Sequence, residues 1–284
     1  MQWQGRAESD NVDDRRGVSG GGLAIGGGVI GVIFILVKFL LGDGDINDLS
    51  QLVQQPQQQQ TEMTTEQKAA DDKEADFVKV VLKDTEDVWG KIFSDMGKTY
   101  TDPTLVLFRG STTSGCGNAS AASGPFYCPA DQDVYIDLSF AQQLKDQFGA
   151  TGDFAMAYVV AHEVGHHVQD LLGVTKKMQQ IQQQVSETEY NKYSVRLELQ
   201  ADFYAGVWAH YDQKMKNVID PNDIQEALTA ANAIGDDRLQ KEYQGTVTPD
   251  SFTHGTSAQR MYWFKKGYDT GDLNQGDTFA AGSY

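Results

Sequence analysis

The sequence predicts an α+β fold, predominantly helical with a small β-sheet, preceded by one transmembrane helix. Three observations predict it. From residue 140 onward the apolar pattern is mostly helical, whereas only two short segments, 104–109 and 133–138, read as strands. Residues 21–41 form an apolar run of 21 residues with a single charge, Lys38. With 284 residues, 40% hydrophobic and 22% charged, the chain has the material for a folded core. Its net charge of −17 lies largely in residues 76–284. That balance argues against a phosphate-binding surface and so against a nucleic-acid partner.

Residues 1–20 are polar and rich in Gly, Asp and Arg, without apolar periodicity, and are expected to be a disordered arm. As a helix, residues 21–41 would span about 31 Å, matching a hydrocarbon core of roughly 30 Å. Six glycines would be costly in a soluble helix and are commoner in membrane ones, and no small-residue cleavage site follows. The paired small residues Gly22/Gly26 and Gly27/Gly31 are compatible with self-association of two such helices. Arg6, Arg15 and Arg16 precede the run, and no Lys or Arg follows it until Lys68. The positive-inside rule therefore puts the N-terminus in the cytoplasm, the span in the inner membrane's lipid bilayer and the bulk of the chain outside. Residues 42–75 read as a flexible Gln-rich linker, since seven of the ten residues 51–60 are Gln. Such a coil would reach roughly 30–35 Å.

The folded domain is expected over 76–268. Residues 76–97 carry an approximate helical stripe through Phe77, Val80, Val81, Val88, Ile92 and Phe93. Strand 104–109 is followed by a Ser/Gly/Ala-rich loop, 110–126, and then by strand 133–138. Helices are expected at about 140–148, 154–172, 187–214, 222–234 and 257–266, with Gly173 and Gly267 as C-caps. Residues 269–284 lack periodicity and read as a loose tail.

Chemistry concentrates in His-Glu-Val-Gly-His, 162–166. On a helix, His162 and His166 share a face and can direct two imidazoles at one zinc ion. Glu163, one residue on, lies beside that ion, where it can take a proton from a water. The preceding segment, FAMAYVVA (154–161), is apolar nearly all round, as in a helix buried at the centre of a domain. A third ligand is needed. A histidine six residues after His166 would complete one known pattern, but that position is Leu172, and Gln169 replaces its glycine. In VRLELQADFYAG (195–206), Glu198 and Asp202 share a face with Ala201, Ala205 and Ala209, small residues that allow close helix approach. Glu198 is the candidate third ligand, and Asp202 the acceptor that orients a ligand histidine through its other nitrogen.

His254, in a loop before a helix capped by Thr256 or Ser257, is placed to face a cleft. Three readings stay open for it: oxyanion stabiliser, displaceable fourth ligand, or hydrogen-bonded loop residue. Arg260 reads as tying that loop down, and His167 and His210 as structural. Outside the cytoplasm Cys116 and Cys128 would form a disulfide worth about 3 kcal/mol; in a reducing compartment they would be free thiols. Residues 134–138 are a candidate edge for holding an extended peptide.

The blocks GPFYCPADQDVYIDLSF (124–140), AHEVGHHVQ (161–169), LELQADFYAG (197–206) and THGTSAQR (253–260), with the Gly-rich span, resemble the bacterial neutral zinc metallopeptidases. These are single-span envelope proteins. The downstream Glu-x-x-x-Asp is also similar to the wider gluzincin group. The resemblance covers essentially the whole chain. It implies a zincin-like peptidase domain, Zn²⁺ held by His162, His166 and Glu198, Glu163 as the base, and a peptide or protein substrate. A second class of function stays open: a latent or non-catalytic, chaperone-like envelope protein whose zinc is closed off by a permanent fourth ligand, His254.

Overall fold

The computed structural model describes residues 1–17, 64–147 and 149–280. The expected membrane span, its paired glycines and most of the expected linker lie outside the described residues. Among the described residues no helix is long and apolar enough to cross a membrane.

In chain order the elements are β1 (Val12–Asp14), α1 (Thr65–Asp95), β2 (Thr104–Phe108), β3 (Ser111–Ser114), β4 (Gly117–Ser120), β5 (Phe126–Cys128), β6 (Asp133–Asp137), α2 (Ser139–Asp146), α3 (Asp153–Leu171), α4 (Val174–Gln182), α5 (Glu187–Lys216), α6 (Asp223–Ala233), α7 (Asp236–Gln244) and α8 (Ser257–Thr270). The main sheet runs β1-β2-β6-β5: the first three strands are parallel, and β5 is antiparallel to β6. A separate hairpin joins β3 and β4. The α+β, predominantly helical expectation therefore holds.

Helix α3 is the centre. It is buried nearly all round and packs against α5, α6, α1 and the strands β5 and β6. Two close approaches fix the helices around it. Gly165 of α3 faces α5 so tightly that a Cβ there would come 3.0 Å from Ala201 O. Gly206 of α5 and Gly267 of α8 face each other's backbones, and a Cβ at Gly267 would fall inside the van der Waals radius of Phe203 O. Gly267 is thus a crossing point rather than the expected C-cap. Helix α8 runs on to Thr270, and Gly271, at φ 58°, ends it.

Several segments are more ordered than the sequence pattern suggests. The described part of the arm, residues 1–17, is docked instead of disordered. Strand β1 pairs with β2 in the register Val12↔Leu105, Asp13↔Val106, Asp14↔Leu107. Trp3 packs edge-on against Phe77 at 5.4 Å, Arg6 pairs with Asp84, and Asn11 Nδ2 donates to Glu86 Oε1 at 2.9 Å. Ion pairs and one three-residue strand hold it, and such contacts leave no hydropathy periodicity to read. Residues 65–75, expected as linker, are the first three turns of α1. Thr64 and Gln67 form a capping box there, and Arg16 donates to Asp71 Oδ2 at 2.8 Å. The expected loop 110–126 contains the β3–β4 hairpin, and the short polar helices α4 and α7 have no counterpart in the pattern. The described part of the tail is also docked: Thr278 is fully buried and donates to Arg196 O at 2.6 Å.

Cys116 and Cys128 form the disulfide, with Cα atoms 5.8 Å apart. Strand β6 is paired on both sides, so the backbone of 134–137 is not a free edge. The edge strands of the main sheet are β1 and β5.

Candidate metal centre

Helix α3 supplies His162, Glu163 and His166, and helix α5 supplies Glu198 and Asp202, as the sequence predicts. Because α5 approaches at Gly165, the two faces meet. His162 Nε2 lies 3.1 Å from Glu198 Oε2, and His166 Nε2 lies 3.4 Å from Glu198 Oε1. One ligand atom from each of the three residues lies within 4.8 Å of the others. Donors about 2.0–2.2 Å from a tetrahedral ion sit a little over 3 Å apart, so this set fits a divalent ion. His2Glu is also the donor chemistry of catalytic zinc, which leaves a fourth position open.

The far nitrogens of both rings are spoken for. His162 Nδ1 donates to Asp202 Oδ1 at 2.9 Å, and His166 Nδ1 donates to Gln169 Oε1 at 2.9 Å. Asp202, fully buried, also accepts from Tyr158 Oη at 2.5 Å and from Arg260, Nε at 2.9 Å and Nη2 at 3.0 Å. Arg260 therefore does more than tie down a loop. It lies buried under the site, and its charge lets a carboxylate stay ionised there. Burial raises the Asp202 pKa, yet Arg260 and His162 outweigh it and bring it to about 2. Burial likewise works against a charged His162, but Asp202 and Glu198 win and push it up to about 10 in the metal-free chain. His166 shifts upward for the same reason, with Glu198 as the partner. Glu198 falls well below the usual carboxylate range despite burial, held down by His166, His162 and the charge of His254.

His254 stands on the loop before α8, at the same face of α5. Its neighbour Gly255, at φ 90°, packs so close that a Cβ would come 3.1 Å from Val195 Cγ1 and 3.4 Å from Leu199 Cδ2. Asp236, at the start of α7, organises the loop. Its Oδ2 accepts from the backbone N–H groups of Thr253, His254 and Gly255 at 2.8, 2.7 and 3.0 Å, and His254 Nδ1 lies 3.3 Å from Oδ1. The side chain of His254 is 45% exposed. Burial lowers its pKa, but Asp236 and Glu198 raise it more. His167 is held between Thr101 O at 2.7 Å and Tyr127 Oη at 3.2 Å, and His210 donates to Tyr268 O at 2.8 Å; both are structural, as expected.

Tyr158, Gln169, Asp236 and the part played by Arg260 escape sequence reasoning. Gln169 and Arg260 carry a partial signal, since each falls inside a block that bears a site residue.

A family model described as "Putative neutral zinc metallopeptidase" matches residues 1–279. Among curated proteins, the uncharacterized protein YpfJ of Escherichia coli (strain K12) is 52% identical over 285 residues, covering 98% of this chain and 99% of that one. An uncharacterized protein of Mycobacterium tuberculosis (strain ATCC 25618 / H37Rv) is 50% identical over 192 residues, 64% of each chain. No solved structure matches. The family implies Zn²⁺, and the His162–His166–Glu198 group is one that could hold it.

Proposed function

This chain belongs to the neutral zinc metallopeptidase family, and from that premise we propose that it hydrolyses peptide bonds at the site between α3 and α5. The observation that carries the reading is the convergence of His162, His166 and Glu198, with their ligand atoms within 4.8 Å, beside Glu163. When bound there, zinc supplies Lewis-acid polarisation and lowers the pKa of a water towards ~7. Glu163, one step round α3 from His162, is the base: it takes a proton from the attacking water and hands it to the leaving amine. The role we propose for His254, half-exposed and held by Asp236, is to donate to the oxygen that gains charge as the carbonyl carbon becomes tetrahedral. Asp202 and Gln169 keep the two imidazoles turned with their Nε2 lone pairs toward the ion.

The site of action we propose is the cell envelope; the expected single crossing by residues 21–41 with a cytoplasmic N-terminus conflicts with the pairing of residues 12–14 to the body that carries the metal centre, because it would put the two on opposite sides of the membrane. The Cys116–Cys128 disulfide supports an oxidising compartment.

The test pairs metal analysis of the full chain with digestion of a peptide library. Glu163→Gln is expected to retain zinc at parental stoichiometry and to lose about 10²–10⁴-fold in hydrolysis. Equal cleavage by parent and variant would remove Glu163 from the mechanism. Zinc at one per chain without turnover, in the parent and in His254→Ala alike, would favour the latent or non-catalytic reading.

A further inference from the structure

We propose that Gln169 and Gln200 are positioning residues that set, from two backbone carbonyls, which nitrogen of His166 faces the metal. This rests on the zinc-site reading above and adds a device to it.

The chain of hydrogen bonds runs inward from the tail. A backbone carbonyl only accepts hydrogen bonds. Gly276 O lies 3.0 Å from Gln200 Nε2, so Gln200 must turn its NH₂ toward the tail and its Oε1 back toward α3. That oxygen lies 3.2 Å from Gln169 Nε2, and Leu197 O lies 2.7 Å from the same nitrogen. Both are acceptors, so both protons of the Gln169 amide are committed to α5. The only group Gln169 has left for His166 is its Oε1, 2.9 Å from Nδ1. An acceptor at that place holds a proton on Nδ1; Glu198, 3.4 Å from Nε2, holds the second proton of the charged ring, and a metal that displaces that proton finds the lone pair on Nε2.

An amide is otherwise free to flip and could present either end to a histidine. Here each flip would put an N–H against an N–H or a carbonyl against a carbonyl in a dry interior. Gln169 is 1% exposed and Gln200 7%, so water cannot repair the mismatch. The two ligand histidines are thus held by different means. His162 is fixed by a charged acceptor, Asp202, neutralised by Arg260. His166 is fixed by a neutral amide whose polarity is inherited from Leu197 and from Gly276.

The C-terminal segment is thereby part of the apparatus that orients a ligand on α3. Gly276 is seated for this: it packs onto the Phe203 ring, and a Cβ there would overlap it. Two residues on, Thr278 ties the same segment to Arg196 O, one helical turn before Gln200 on α5.

The experiment uses the full chain and three variants, with zinc affinity measured by chelator competition and folding by thermal melting without metal. Gln169→Leu should weaken zinc binding about ten- to a hundredfold, the usual range for removing a ligand's hydrogen-bond partner. Gln200→Leu should weaken it less, by several-fold, because Leu197 O still holds the Gln169 amide. Thr278→Val, which loosens the segment that carries Gly276 O, should lower the melting temperature and weaken zinc binding no more than Gln200→Leu does. Parental affinity in Gln169→Leu, with only the melting temperature lowered, would overturn the proposal. A readout independent of the variants is the ¹⁵N spectrum of the imidazoles in the zinc-loaded parent. A proton on Nδ1 of His166 is expected, and a proton on Nε2 would overturn the assignment. If the parent binds no zinc, the metallopeptidase reading and this proposal both fall; zinc binding in the parent with an unaffected Gln169→Leu overturns this one alone.

Discussion

At the residue scale, the site is a set of acids and bases that hold one another's charge until a metal replaces the protons. In the metal-free chain His162 keeps its proton up to about 10 because Asp202 and Glu198 outweigh its burial. His166 is shifted in the same direction. A zinc ion needs neutral imidazoles, so binding must expel those protons. Below the raised values protons compete with the ion. Apparent zinc affinity should therefore climb as pH rises from about 6 to 9, with proton release detectable in a weakly buffered titration. A pH-independent affinity over that range would contradict this picture. His162, Glu163 and His166 were legible in the sequence because a spacing of four on a helix dictates a shared face. Glu198 and Asp202 were legible by the same rule, helped by the small residues around them. Gln169, Asp236 and Tyr158 were not, because nothing in a one-dimensional pattern tells a buried amide, carboxylate or phenol that bridges two helices from one that faces solvent.

At the element scale, the centre exists because helices approach more closely than ordinary side chains allow. Gly165 admits α5 to α3, and the Gly206–Gly267 crossing admits α8 to α5, which carries Arg260 beneath Asp202. Gly267→Ala should therefore cost about 1–3 kcal/mol or more by overpacking, because the obstacle is backbone and cannot rotate away. Loss of cooperativity in α8, seen as early hydrogen exchange, should accompany the lowered melting temperature. An unchanged melting temperature would show that the crossing relaxes freely. The long helices α3 and α5 were readable from periodicity within a residue or two of their ends. The short helices α4 and α7 and the β3–β4 hairpin were not, since eight or nine polar residues carry too few apolar positions to define a period.

At the scale of the whole molecule, the body is closed at both ends by segments that composition alone suggested were loose. The arm covers the outer edge of β2 and brings Arg6 to the buried carboxylate of Asp84. Deleting residues 1–17 should leave that carboxylate short of a partner and an edge strand unpaired, lowering the melting temperature and promoting association. An identical melting curve for the shortened and full chains would show the arm to be dispensable. The arm also bears on geography. Val12 is paired with Leu105, and the strand that contains Leu105 is hydrogen-bonded to β6, against which the histidine-bearing helix α3 packs. A labelling reagent confined to one aqueous phase must therefore find the first seventeen residues and the metal centre together, or find neither; inside this fold the two have a single address.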